Sequence, residues 1–195
     1  AVNYVGNAEG AAATVAACEA AGAEAVAVQG NVAEDADCRR IAAAATDRWG
    51  RTDILVNNAG TTRIADPKDL DALDAAEFQR IYAVNVIGTY QMTRAARPAL
   101  DASGQGAIVN TSSIAGIAGM GSSIAYAASK GALNTLTLAL ARSLAPKIRV
   151  NAVCPGYVAS DWWDGLDAAT VDKMAARSAS AAASASSSES IPSPQ

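Results

Sequence analysis

Short apolar runs alternate along the chain with longer stretches of helical period, a pattern that predicts a parallel α/β sheet with helices between its strands. Ala1–Val5 and Glu24–Val28 read as strands on either side of an alanine-rich helix from about Ala8 to Ala21. A second helix runs from about Asp35 to Trp49 and stops at Gly50. Asp53–Asn57 (DILVN) is almost wholly apolar, as in a strand covered on both faces. Thr61–Leu73 is a polar loop, and a long helix follows from about Asp74 to Leu100. Gly106–Ser112 (GAIVNTS) and Ile148–Val153 (IRVNAV) are further strands, with another long helix, Ser123–Leu144, between them. Asp161–Met174 reads as a loop with room for a short helix. From Ala175 to Gln195 the chain is almost entirely Ala and Ser, ending in two prolines. Such a segment offers too little apolar area to offset its ordering entropy. Residues 1–174 are therefore expected to form the folded domain, and residues 175–195 a disordered tail.

Composition narrows the chemistry. The chain has 195 residues, about a quarter of them alanine and 5% aromatic, so its core must be built from thin, closely approaching layers. A net charge of −4 leaves no basic stripe for a polyanion, which speaks against a nucleic-acid partner. No apolar run is long enough to cross a bilayer, and no signal peptide opens the sequence, so a cytoplasmic protein is expected. Histidine is absent. That excludes Ser-His-Asp and Cys-His hydrolase sites, histidine-ligated zinc and any histidine acid–base step. Cys18, Cys38 and Cys154 lack CxxC spacing, so neither a disulfide framework nor a metal site is expected. An enzyme built from this chain must use Tyr, Lys, Ser, Asp, Glu or a cofactor.

Tyr126 and Lys130 (YAASK) stand at i and i+4 of a predicted helix and share one face. An ammonium beside a phenol favours the phenolate and lowers its pKa, which makes tyrosine an acid–base group without histidine. Alone, the pair also describes a solvated helix face. Ser112 and Ser113 end an apolar strand, where ligands bind in doubly wound sheets, so Ser113 and Tyr126 can converge on one substrate oxygen. The serines equally suit a strand end feeding a turn. Asn57-Asn58-Ala59-Gly60 closes the preceding strand at the same sheet edge, with small residues that admit a flat ligand. Pro155-Gly156 is either a plain turn or a backbone rest for a planar ring.

Together these residues resemble the short-chain dehydrogenase/reductase family over about Ala1–Leu166. The family's N-N-A-G is Asn57–Gly60, its N-V-x-G is Asn85–Gly88, its serine is Ser113, its Y-x-x-x-K runs from Tyr126 to Lys130, and its P-G-x-V is Pro155–Val158. The resemblance implies a Rossmann-like doubly wound parallel sheet. It also implies hydride transfer between a nicotinamide cofactor and a carbonyl or secondary alcohol, with 3-oxoacyl-carrier-protein reductases the most similar members. It assigns catalysis to Asn85, Ser113, Tyr126 and Lys130. Tyr126 is the acid–base group, Ser113 a partner of the substrate oxygen, Lys130 a ligand of the ribose, and Asn85 the holder of a relay water. Cofactor contacts fall on Asn31, Val32, Asn58, Ala59, Gly60, Tyr126, Lys130, Pro155, Gly156, Val158 and Ser160. No carboxylate stands in Asn3–Asn7 to hold an NAD ribose, which favours NADP(H) over NAD(H). A homodimer through helices 74–100 and 123–144 is implied as well. Two other classes stay open: an inactive relative serving as a binding module, and an epimerase or dehydratase. The N-N-A-G favours the reductase branch over the second. Trp162 and Trp163 either line a substrate pocket or cover core.

The departures matter as much. No G-x-x-x-G-x-G occurs in the sequence, and Gly116, Gly119 and Gly121 lie between Ser113 and Tyr126, the wrong place for a phosphate-binding turn. The chain opens in the family's second strand. Because the first strand lies centrally, its absence is expected to separate Ala1–Gln29 from the rest of the sheet and to remove the helix N-terminus that binds diphosphate. The family's last helix and edge strand cannot be found in the Ala/Ser segment.

Overall fold

The computed structural model describes residues 1–159 and 167–187. Strand β1 (Val2–Tyr4), helix α1 (Ala8–Ala20), strand β2 (Ala27–Gln29) and helix α2 (Asp35–Trp49) open the chain. Strand β3 (Ile54–Asn57) is followed by α3 (Ala75–Tyr82) and α4 (Thr89–Ser103). Strand β4 (Gly106–Thr111), α5 (Ala115–Ala118), α6 (Ile124–Leu144), β5 (Ile148–Val153) and α7 (Ala168–Ser187) complete it. The helix ends follow from the sequence. Gly50 adopts φ 70° and donates its N–H to the Thr46 carbonyl, stopping α2. Ser123 and Asp74 cap α6 and α3 by accepting from Tyr126 N–H and Glu77 N–H.

The strands form two separate parallel sheets, β1–β2 and β3–β4–β5. That is the division expected where no strand joins β1 to β3. The two sheets meet through side chains instead. Val28 of β2 and Leu55 of β3 both pack on a cluster of Val32, Cys38, Ile41 and Met92, which joins α2 to α4. An ion pair between Arg94 and Asp35 spans the same helices. The larger core lies between α4, α6 and the three-stranded sheet and contains Leu100, Ile108, Leu140, Leu144, Ile148 and Val150. The opposite face of β3 is bare, with Ile54 64% and Val56 58% exposed.

Three sequence expectations are corrected. The helix expected over Asp74–Leu100 is interrupted by a π-helical turn at Ala83–Gly88, which turns Asn85 fully inward. At the end of that turn a Cβ on Gly88 would stand 2.8 Å from Val32 Cγ2 and 3.0 Å from its carbonyl oxygen, so the approach needs glycine. The connection from Ser113 to Tyr126 contains α5. A Cβ on Gly116 would lie 2.5 Å from the Lys130 carbonyl carbon, so α5 and α6 pack backbone on backbone. The tail expected from Ala175 is helical as far as Ser187. Alanine is the strongest helix former, and α7 also makes contact with the cavity described below.

A buried polar chain crosses this core. Asn57 and Asn110 face each other across β3 and β4, and Asn57 Nδ2 donates to Asn110 Oδ1 at 2.9 Å. Asn110 Nδ2 donates to Thr137 Oγ1 at 2.9 Å, and Thr137 donates in turn to the Leu133 carbonyl. Replacing Asn110 by Ala leaves the Asn57 amide without this acceptor and opens a cavity. The expected cost is about 2–4 kcal/mol in urea unfolding, with the slope against denaturant unchanged.

Candidate active site

The ends of β3, β4 and β5 deliver the site to one edge of the three-stranded sheet, at their C-terminal ends, where open α/β sheets bind ligands. Beyond β4, Ser112 N–H donates to the Val153 carbonyl and Ile114 N–H to the Pro155 carbonyl, tying this strand end to the Pro155 turn. Ser112 is buried and its hydroxyl donates to the Lys130 carbonyl at 3.1 Å. The next side chain, Ser113, accepts the Ala115 N–H at 3.1 Å and stands close enough to the Tyr126 phenol to influence its titration. Lys130 is buried to 4% exposure. Its Nζ donates to the Thr111 carbonyl at 2.7 Å and lies 5.6 Å from the Tyr126 ring centre.

Asn85 forms a clamp from the π-helical turn. Its Oδ1 accepts Thr61 N–H at 2.8 Å, while Nδ2 donates to the Thr61 carbonyl and to Ser129 Oγ, each at 3.0 Å. Ser129 donates to the Tyr126 carbonyl at 2.7 Å. The loop after β3 is thus fastened to the helix that carries Tyr126 and Lys130. A Cβ on Gly60 would stand 3.7 Å from Asn85 Oδ1 and 3.8 Å from Lys130 Nζ, so Gly60 brings bare backbone beside the ammonium.

These elements surround a cavity of about 450 Å³, a volume suited to a small ligand. Of the residues singled out from the sequence, Asn58, Gly60, Ser113, Tyr126, Lys130, Pro155, Gly156 and Val158 line it. Asn85 stands behind Gly60 rather than in the wall, and Ala59 is exposed beside it. Asn31 and Val32 are not among the lining residues. Asn31 N–H donates to Asp37 and its Oδ1 accepts Ala33 N–H, while Val32 is buried in the cluster joining α2 to α4. Ser160, Trp162 and Trp163 lie outside the described residues. No motif marks Ile114, Met120, Met174 or Ser178, which also line the wall. Ser178 in particular sits inside a low-complexity stretch with no motif to mark it. The bare glycine backbone, the buried ammonium and the Pro155 turn fit the nicotinamide and ribose end of a dinucleotide.

Burial pushes the Tyr126 phenol above its ordinary value, against the opposite pull of the Ser113 hydroxyl. The lowering expected from Lys130 is not what this geometry gives: burial outweighs it. Burial also brings Lys130 down to about 8, the neighbouring Cys154 acting in the other direction. Between pH 8 and 10.5 the unfolded lysine holds a proton that the folded one has released, so stability rises with pH across that window. Relative to a Lys130→Met variant, the unfolding free energy is expected to climb by about 3 kcal/mol over this interval. Below pH 8 the two curves should run parallel, as denaturant titrations at stepped pH will read.

Comparison with known proteins follows the same lines. The family model for short chain dehydrogenase matches residues 1–188. The chain is 46% identical over 144 residues to the "granaticin polyketide synthase putative ketoacyl reductase 2" of Streptomyces violaceoruber, covering 74% of this chain and 58% of that protein. It is 35% identical over 175 residues to a 3-oxoacyl-acyl-carrier-protein reductase of Staphylococcus aureus, covering 89% and 70%. A crystal structure of a "putative short-chain dehydrogenase/reductase" from Burkholderia xenovorans superposes with a TM-score of 0.79 at 42% identity, covering 97% of this chain and 81% of that one. The chain spans about six-tenths of the length of the first curated relatives it matches. With the motif serine, tyrosine and lysine gathered around one cavity at the sheet edge, the chain belongs to the short-chain dehydrogenase family.

Proposed function

We propose that this chain carries the catalytic half of an NADP(H)-dependent carbonyl reductase acting on 3-oxoacyl thioesters or related ketones. The observation that supports it is the meeting of Ser113, Tyr126 and Lys130 on one cavity whose remaining wall is largely apolar. When bound, the nicotinamide supplies the hydride. The protein contributes position and proton chemistry. Tyr126 carries its proton at neutral pH, as an ordinary phenol does, and is placed to donate it to the carbonyl oxygen as that oxygen gains charge. Ser113 hydrogen-bonds the same oxygen and stabilises that charge. Lys130, anchored on Thr111, would hold the ribose hydroxyls of the cofactor through its remaining N–H groups. Asn85 holds the Thr61 loop and α6 together so that these groups keep their spacing.

The relatives named for ketoacyl and 3-oxoacyl-acyl-carrier-protein reduction support the thioester class. The absence of a carboxylate from Asn3–Asn7, at the end of β1, supports NADP(H), since an acidic group there would repel a 2′-phosphate. A homodimer through α3–α4 and α6 accords with the exposed apolar Ile87 on the turn between α3 and α4, Tyr90 on α4 and Leu138 on α6.

A second reading, a binding module without turnover, is favoured by the divided sheet, in which β1–β2 and β3–β4–β5 share no ladder. Both predict that the 195-residue chain alone binds NADPH more weakly than micromolar, a titration of cofactor fluorescence being the check. Turnover is tested by joining a relative's first strand and Gly-rich turn to this chain and following NADPH absorbance with acetoacetyl thioesters and simple ketones. In that protein Tyr126→Phe is expected to lower kcat by about 10²–10⁴-fold while leaving cofactor affinity unchanged. Persistent activity in the variant would remove Tyr126 from the role of acid.

A further inference from the structure

The Ala/Ser stretch makes one specific contact with the site. Met174 and Ser178 stand at i and i+4 on α7, on one side of the helix, and both line the cavity. Ser178 Oγ accepts the Tyr157 N–H at 2.6 Å. The same oxygen lies 2.5 Å from where a Cβ on Gly156 would stand, whereas the Ser178 Cβ is 3.8 Å from that point. Only a glycine at 156 lets the hydroxyl come this close. An Ala/Ser helix buries little apolar surface and is marginal by itself, so its place in the fold depends on such docking contacts.

We propose that Ser178 is a positioning residue whose hydroxyl latches α7 onto the Gly156–Tyr157 peptide. The latch fixes the turn on which a nicotinamide would rest and sets Met174 in the wall of the cavity that Ser113 and Tyr126 also line. Substrate size is then governed by a helix that sequence composition marks as featureless. The contact itself belongs to the chain without ligand; its consequence for turnover rests on the reductase reading above.

Amide hydrogen exchange at Tyr157, followed by NMR on the full 195-residue chain, tests the latch without cofactor or substrate. Ser178→Ala, which favours the helix, is expected to raise Tyr157 exchange about tenfold, while Ser178→Thr, which keeps a γ-oxygen, restores protection. Gly156→Ala should loosen the same amide by forcing the hydroxyl away. Adding Gly156→Ala to Ser178→Ala should do no further harm, because the clashing oxygen is gone. Unchanged exchange in Ser178→Ala, or a Gly156→Ala variant as protected as wild type, overturns the proposal. In the NADPH assay Ser178→Ala should raise KM for the ketone more than it lowers kcat, with Thr again restoring it. An inactive parent protein would defeat the reductase reading and leave the exchange result standing.

Discussion

The hydrogen-bonded chain from Asn57 through Asn110 to Thr137 sets the geometry on which the site depends. It costs the core three polar side chains, but each is satisfied, and together they couple the β3–β4 register to the rotation of α6. Three residues beyond Asn57 lies Gly60, three beyond Asn110 lies Ser113, and two helical turns before Thr137 lies Lys130. A slip in any one of these elements would separate groups that now share one cavity. The buried amides thus act as an alignment device below the chemistry. Asn85 repeats the strategy one layer higher, joining the Thr61 loop to Ser129.

Much of this was legible in the sequence because strands of a parallel sheet announce themselves as apolar runs and helices announce their caps. Asp35–Trp49 and Ile148–Val153 have the bounds the sequence suggests, the first closed by Gly50. Ser113, Tyr126 and Lys130 were legible because few arrangements give histidine-free acid–base chemistry. The interruption at Ala83–Gly88 was not, since a π turn changes hydrogen-bond partners without changing composition. Nor was α5, four residues long, whose glycines serve packing against α6 rather than any phosphate. Ser178 was hidden for a different reason. Composition reports average burial, and one hydroxyl among many serines carries no signal until its partner is known. For Asn31 and Val32 the motif position and the cavity do not coincide, because both serve the start of α2 and the helix layer joining the sheets.

The divided sheet gives the molecule two unequal parts. β3–β4–β5 carries the cavity and the larger core, while among the described residues β1–β2 shares no ladder with it and meets it through packing, including the approach of Gly88 to Val32, and an ion pair. Side-chain contacts are less directional than a strand ladder, so the angle between the sheets is set by the fit of Cys38, Ile41 and Met92 rather than by backbone bonds. The exposed Ile54 and Val56 mark the face where that arrangement leaves apolar surface in water.

The close approaches at Gly88, Gly116 and Gly156 give the alanine content a further meaning. About a quarter of the side chains are a single methyl group, and at these three positions even that methyl does not fit. At these positions tolerance is counted in single carbon atoms. A library that exchanged Ala and Gly at random would leave composition and hydropathy almost unchanged, yet it would drive a methyl into Val32 at Gly88, into the α6 backbone at Gly116 and into the Ser178 hydroxyl at Gly156.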